Sequence, residues 1–152
     1  MNILFICHAN LCRSVLAQVL LKKYMPQATV WSCGLYANPQ QHLPQFVEKY
    51  LSQQGLSASH IKPIQLTEQD LKQADWIFCM EPQQLEQLTD QYAPYIDKMW
   101  LLNEFVYGEE TAIQDPMGLE EKAFFKQASL LEQTIEKCAQ KLRSGSAKLV
   151  QV

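Results

Sequence analysis

The segment Cys7-His8-Ala9-Asn10-Leu11-Cys12-Arg13-Ser14 sets a sulfur nucleophile and a guanidinium on one short stretch of chain. The five residues between Cys7 and Arg13 are enough to wrap a loop around a tetrahedral dianion. In such a loop the backbone amides point inward and the arginine closes the ring as a planar donor to two oxygens. Lysine would offer only a point charge there. Thiolate is favoured at helix N-termini and beside cations such as Arg13, so Cys7 is the expected nucleophile. Ser14 is placed to donate its hydroxyl to the cysteine sulfur and to ease departure of that sulfur from a covalent intermediate.

This loop needs a strand before it and a helix after it, and the flanking residues supply both. The apolar run Ile3-Leu4-Phe5-Ile6 reads as a buried strand, and Val15-Leu16-Ala17-Gln18-Val19-Leu20-Leu21 as a helix whose positive dipole end faces the loop. Further along, strands are expected over residues 2–6, 28–32, 75–80 and 98–102. Helices are expected over 13–24, 43–54, 83–91 and 119–142, with a turn of helix near 68–72. The last helix has the plainest pattern, because Phe124, Ala128, Leu131, Ile135, Cys138 and Leu142 recur every three or four residues and make one apolar face. Alternating strands and helices imply an α/β fold, a single doubly wound domain over residues 1–152 with a four-stranded parallel sheet and helices on both faces. Ligands of such sheets bind at the carboxyl ends of the strands, where the Cys7 loop falls.

Composition bounds the rest. The chain has 152 residues, 47% of them hydrophobic and 19% charged, which suits one globular domain. A net charge of −3 without a lysine or arginine cluster argues against a nucleic-acid partner. The apolar start is too short for a signal peptide, and no run reaches the length of a membrane span, so a cytoplasmic protein without a membrane partner is expected. The five cysteines, with no C-x-x-C pair, fit reduced thiols better than a disulfide framework.

Taken together, the strand, the loop with Asn10 inside it, Arg13-Ser14 and the following helix resemble the low-molecular-weight protein tyrosine phosphatases, whose signature is Cys-x-Gly-Asn-x-Cys-Arg-Ser-Pro. Here Ala9 stands for the glycine and Val15 for the proline. The resemblance implies a cysteine-dependent phosphomonoester hydrolase acting through a cysteinyl-phosphate, with no cofactor or metal and a phosphotyrosine protein as substrate. In a bacterium, that substrate would be a protein such as an autophosphorylated tyrosine kinase.

The same likeness assigns roles residue by residue. Cys7, Arg13 and Asp115 are the expected catalytic residues, Asp115 because Asp115-Pro116 matches the family's downstream acid and stands on a proline-stiffened loop. Phosphate would be held by the loop from His8 through Ala9, Asn10, Leu11, Cys12, Arg13 and Ser14. Ser32, in Ser32-Cys33-Gly34, and His60 resemble residues that support this loop, together with Asn10 and Ser14. Aryl-phosphate enzymes of the family carry a tyrosine after the Asp-Pro pair and an aromatic in the loop after Ser-x-Gly. Here those substrate walls would be Met117 and Tyr36. Cys12, on the same loop as Cys7, is placed to form a reversible disulfide with it under oxidation.

Other chemistries are less well supplied. A thiol-coupled arsenate reductase shares the loop but needs two resolving cysteines after the third strand, where only Cys79 stands. A metal module built from Cys7, Cys12, Cys33, Cys79 and the histidines lacks paired-ligand spacing. A non-catalytic phosphate-binding protein would have little use for Cys7, Arg13, Ser14 and Asp115 together. None of the glycines falls in a nucleotide-binding frame.

Overall fold

The computed structural model describes residues 1–145, so residues 146–152 of the expected domain lie outside the described ones. Four strands, β1 (Asn2–Cys7), β2 (Thr29–Gly34), β3 (Trp76–Cys79) and β4 (Met99–Leu101), form one parallel sheet in the order β2-β1-β3-β4. β1 is central. Its residues Ile3, Leu4, Phe5 and Ile6 are all fully buried, which is why it reads as a continuous apolar run and not as an alternation. The chain passes from β1 to β2 on one side and then returns across β1 to β3, so the order reverses at the carboxyl end of β1. That crevice is where a doubly wound sheet binds its ligand.

Helix α1 (Arg13–Tyr24) matches the expected range. It buries Val15, Leu16, Ala17, Leu20 and Leu21 between the sheet and α6 (Glu121–Arg143), and leaves Lys22 and Lys23 of its last turn exposed. The inward face of α6 is the one its periodicity predicts: Phe124, Ala128, Leu131, Ile135, Cys138 and Leu142 are buried. On the opposite face of the sheet, Leu4, Ile6 and Ile77 pack with Leu71 of α3 (Glu68–Gln73) and Leu88 of α4 (Pro82–Gln91). Truncating any one of these buried aliphatics to alanine would cost about 2–5 kcal/mol. Helix α2 (Gln45–Ser52) is shorter than the expected 43–54, since Pro44 takes the N-cap position with extended backbone. Two short elements do not appear in the sequence reading, a 3₁₀ helix at Ala93–Lys98 and α5 (Leu102–Tyr107). The latter is ended by Gly108 in the left-handed conformation, φ 73°. Among the described residues, no helix is long and apolar enough to cross a membrane.

Candidate active site

The loop from Cys7 to Ser14 is shaped by three local constraints. Asn10 adopts φ 58°, the one non-glycine residue with positive φ among those described, and this reverses the chain so that successive amides converge. No hydrogen bond within the described residues takes the amide N–H of Ala9, Asn10, Leu11 or Cys12, which leaves those donors for a ligand. The loop also lies directly on Gly34, where a Cβ would come within 2.9 Å of the Ala9 carbonyl carbon and of the His8 oxygen. Only glycine admits that approach, which explains Ser32-Cys33-Gly34 at the end of β2.

Asn10 organises the floor. Its Oδ1 accepts the N–H of Ile64 at 2.9 Å, so the amide nitrogen must face the other way, donating to Ser14 Oγ at 2.7 Å and Ser32 Oγ at 2.9 Å. Ser32 in turn donates to Gln18 Oε1 at 2.6 Å, and Ser14 Oγ lies 2.9 Å from Cys7 Sγ. Asn10, Ser14 and Ser32 are almost wholly buried, so the loss of any member strands a polar group.

Arg13 is 4% exposed and its guanidinium is held from two sides. Nη1 donates to Glu81 Oε1 at 2.8 Å and to the Ile113 carbonyl at 2.9 Å, while Nη2 lies 3.7 Å from Asp115 Oδ2. Glu81 is itself fixed at the head of α4, where the amides of Met80 and Glu81 donate to Gln84 Oε1 at 3.0 and 3.1 Å. Ile113 is a second anchor. Its N–H donates to the Met80 carbonyl at 2.8 Å and its side chain is buried, tying the Asp115 loop to the end of β3. Asp115 accepts the Met117 N–H at 3.0 Å and has a half-exposed side chain.

Cys7, Arg13 and Asp115 line one cavity of about 320 Å³, with His8, Ala9, Leu11, Cys12, Gln41 and Met117 around them. Met117 therefore stands at the expected wall. Tyr36 does not line the cavity; it is 58% exposed, its ring 5.0 Å from that of His8 and its hydroxyl accepting from Gln87 Nε2. Gln41, not Tyr36, is the residue of that loop region that lines the cavity. His60 is misplaced by the sequence reading as well. It is exposed and lines a separate cavity of about 550 Å³ that includes no residue of the Cys7 loop. The partner expected of it at Asn10 is the Ile64 backbone N–H, because the segment after His60 folds back against the loop as main chain. The larger cavity is lined by no cysteine, arginine or aspartate, so size alone does not mark the reactive centre.

Gln18, Gln41 and Ile113 were not read from the sequence, nor was the role toward Arg13 of Glu81, whose segment, residues 75–81, resembles the family's third strand. Gln18 had a signal, since it lies four residues after Ser14 on the same inward helix face. Gln41 and Ile113 come from distant segments, and nothing in their own neighbourhood marks them.

Cys12 is nearly buried, with burial foremost, and the charges of Asp115 and Cys7 after it, pushing its thiol up to about 12. Its S–H donates to Met117 Sδ at 3.1 Å. Cys33, Cys79 and Cys138 are buried, burial pushing each thiol well above its ordinary range, and none reaches the Cys7 cavity. The second and third thiols of an arsenate-reducing relay are therefore not presented here. Among the described residues, no group of three or more histidine, cysteine or carboxylate side chains is gathered to hold a metal.

Comparison with known proteins agrees with this geometry. Residues 2–148 match the family described as low molecular weight phosphotyrosine protein phosphatase. A protein-arginine-phosphatase of Bacillus subtilis is 27% identical over 147 residues, covering 94% of this chain and 97% of that protein. A low molecular weight protein-tyrosine-phosphatase of Staphylococcus aureus is 34% identical over 118 residues, covering 78% and 82%. The solved arginine phosphatase from Geobacillus stearothermophilus superposes with a TM-score of 0.89 at 26% identity, covering 97% of this chain and 96% of that one.

Proposed function

The chain belongs to the low molecular weight phosphotyrosine protein phosphatase family and is a phosphatase; from there we propose that it hydrolyses phosphotyrosine in proteins, with Cys7, Arg13 and Asp115 as its catalytic residues. The observation that carries this reading is the convergence of those three side chains on one cavity floored by unclaimed amides.

Cys7 Sγ attacks phosphorus, forming the S–P bond as the bond to the leaving oxygen breaks. Asp115 gives its proton to that oxygen. The amides of the loop and the Nε and Nη2 donors of Arg13 hold the phosphoryl oxygens, Nη1 being spent on Glu81 and Ile113. Water then attacks the cysteinyl-phosphate, Asp115 takes its proton, and the S–P bond breaks to release phosphate. Ser14 stabilises the departing thiolate through the 2.9 Å contact. Under peroxide, Cys12 protects Cys7 by closing a disulfide with its sulfenic acid and releasing water.

Tyrosine is supported by the side walls. Leu11 and Met117 are apolar and offer an aryl ring contact area. Phosphoarginine is the second reading, favoured by the relatives named as arginine phosphatases. Turnover of p-nitrophenyl phosphate, a phosphotyrosine peptide and a phosphoarginine protein by the same preparation separates them. Preference for the phosphotyrosine peptide is expected, and preference for phosphoarginine would overturn that reading while leaving the phosphatase chemistry in place. An autophosphorylated bacterial tyrosine kinase is a substrate of the right chemistry. The protein works in the cytoplasm, where Cys7 stays reduced.

A further inference from the structure

Beside the Cys7 cavity lies a second one of about 280 Å³, walled by Gln41, His42, Gln45 and Glu48 on one side and Ser59 and Lys62 on the other. Gln41 lines both cavities, so the two adjoin at that residue. We propose that this second cavity receives an acidic side chain of the protein substrate, close in sequence to the phosphorylated residue. The proposal rests on the phosphotyrosine reading above and extends it to the flanking chain.

Three observations carry it. The walls are registered to the phosphate loop: Ile64, two residues after Lys62, donates its N–H to Asn10 Oδ1 at 2.9 Å. On the other wall, Gln41 closes a turn onto the Asn38 carbonyl at 3.0 Å, and Gln65 holds that loop by accepting from the Ala37 N–H at 2.9 Å. Both walls thus keep a fixed distance from the site of phosphoryl transfer.

The second observation is charge. Lys62 is exposed and makes no hydrogen bond or ion pair among the described residues, and the His42 ring makes no hydrogen bond either. Glu48 is the acidic residue of this lining. Its two oxygens are already occupied, accepting from Ser57 Oγ and the Ala58 N–H at 2.7 Å each. The Lys62 ammonium and the His42 ring are therefore donors to spare, while both Glu48 oxygens are turned to Ser57 and Ala58, and an incoming carboxylate finds its counter-charge in Lys62.

The third is reach. An extended peptide advances about 3.3 Å per residue, so a residue within three positions of the phosphotyrosine spans one side chain's width into the neighbouring cavity.

The test is a series of phosphotyrosine peptides carrying Glu or Lys at each of the three positions on either side, assayed with the wild-type protein and Lys62→Glu. Each variant's turnover of p-nitrophenyl phosphate, which has no flanking residues, is its internal reference. On one side of the phosphotyrosine, Glu should exceed Lys in kcat/KM by about two- to five-fold, mainly through KM, as for an exposed ion pair. The ratio should shrink as salt is raised and should fall to unity or invert in Lys62→Glu. Ratios near unity at every position, or a preference that Lys62→Glu leaves in place, would overturn the subsite. If p-nitrophenyl phosphate is turned over but no phosphotyrosine peptide is, the tyrosine reading has failed, and the same flanking series on phosphoarginine peptides decides the subsite by the same ratios.

Discussion

Ser14 Oγ stands 2.9 Å from Cys7 Sγ, held there from behind by Asn10. Because Asn10 Oδ1 accepts from Ile64, Asn10 Nδ2 donates to Ser14 Oγ, and the Ser14 proton stays available to sulfur once Cys7 has lost its own. The hydroxyl therefore stabilises thiolate over thiol. Ser14→Ala should slow breakdown of the cysteinyl-phosphate more than its formation, with a loss in kcat of about 10- to 100-fold, matching one hydrogen bond to a charged group. Rapid mixing with p-nitrophenyl phosphate should then show a burst of nitrophenolate followed by a slow steady state. Equal slowing of both phases would place Ser14's effect in the shape of the loop.

Arg13 is clamped by one carboxylate and one carbonyl through the same Nη1 nitrogen. An ammonium cannot hold those acceptors and still present two donors to phosphate, so Arg13→Lys should lower kcat more than it raises KM. Glu81→Gln keeps the shape but weakens the hydrogen bond. It should show a smaller loss of the same kind, and Glu81→Ala a larger one. A pure KM effect in these variants would mean that the clamp serves binding alone.

Asp115 identifies itself by its dependence on the leaving group. Asp115→Asn should slow phenyl phosphate far more than p-nitrophenyl phosphate, whose anion leaves without protonation. If both slow alike, the acid is elsewhere.

Much of this site can be read from the chain because its parts are local. β1, the loop and α1 occupy consecutive residues, and the buried faces of β1 and α6 announce themselves by run and period. What escaped depends on main chain or on distant partners. Ile113 serves Arg13 through its carbonyl and Met80 through its N–H, functions any residue could fill, so its type gives no sign of them. The Ile64 N–H holds Asn10 for the same reason, and a nearby histidine offered a false candidate. Helix α5 is six residues long, too short for periodicity to distinguish from the end of β4.

Stability should centre on a different carboxylate. Glu132 of α6 accepts from Tyr50 at 2.6 Å, from Gln54 at 2.7 Å and from Tyr24 at 2.9 Å, joining α6 to α1 and to the end of α2. Burial alone would raise its carboxyl, but the bonds from Tyr50, Gln54 and Tyr24 outweigh it and hold the group below the ordinary glutamate range. A depressed folded-state value means that this stabilisation is present above the unfolded-state value, near pH 4.3, and is lost as pH falls through the folded one. Glu132→Gln should lower stability at neutral pH by about 1–3 kcal/mol, and should flatten the acid limb of the curve of Tm against pH. Parallel curves for parent and variant would remove Glu132 from the acid response.

Met117 is where this site departs most from an aryl-phosphate pocket. Its sulfur takes the Cys12 S–H at 3.1 Å and its side chain is 45% exposed, so the wall is apolar but loosely bounded. With Tyr36 turned to His8, no phenylalanine, tyrosine or tryptophan among the described residues lines the cavity. Met117→Tyr should therefore raise kcat/KM for aryl phosphates chiefly by lowering KM, since a ring stacks on bound substrate and transition state alike. One aromatic pair, about 0.5–1.5 kcal/mol, corresponds to about two- to twelve-fold. Freed from Met117, Cys12 should also be alkylated faster in the tyrosine variant. An unchanged or higher KM would mean that Leu11 and Met117 already hold the ring as closely as the loop allows.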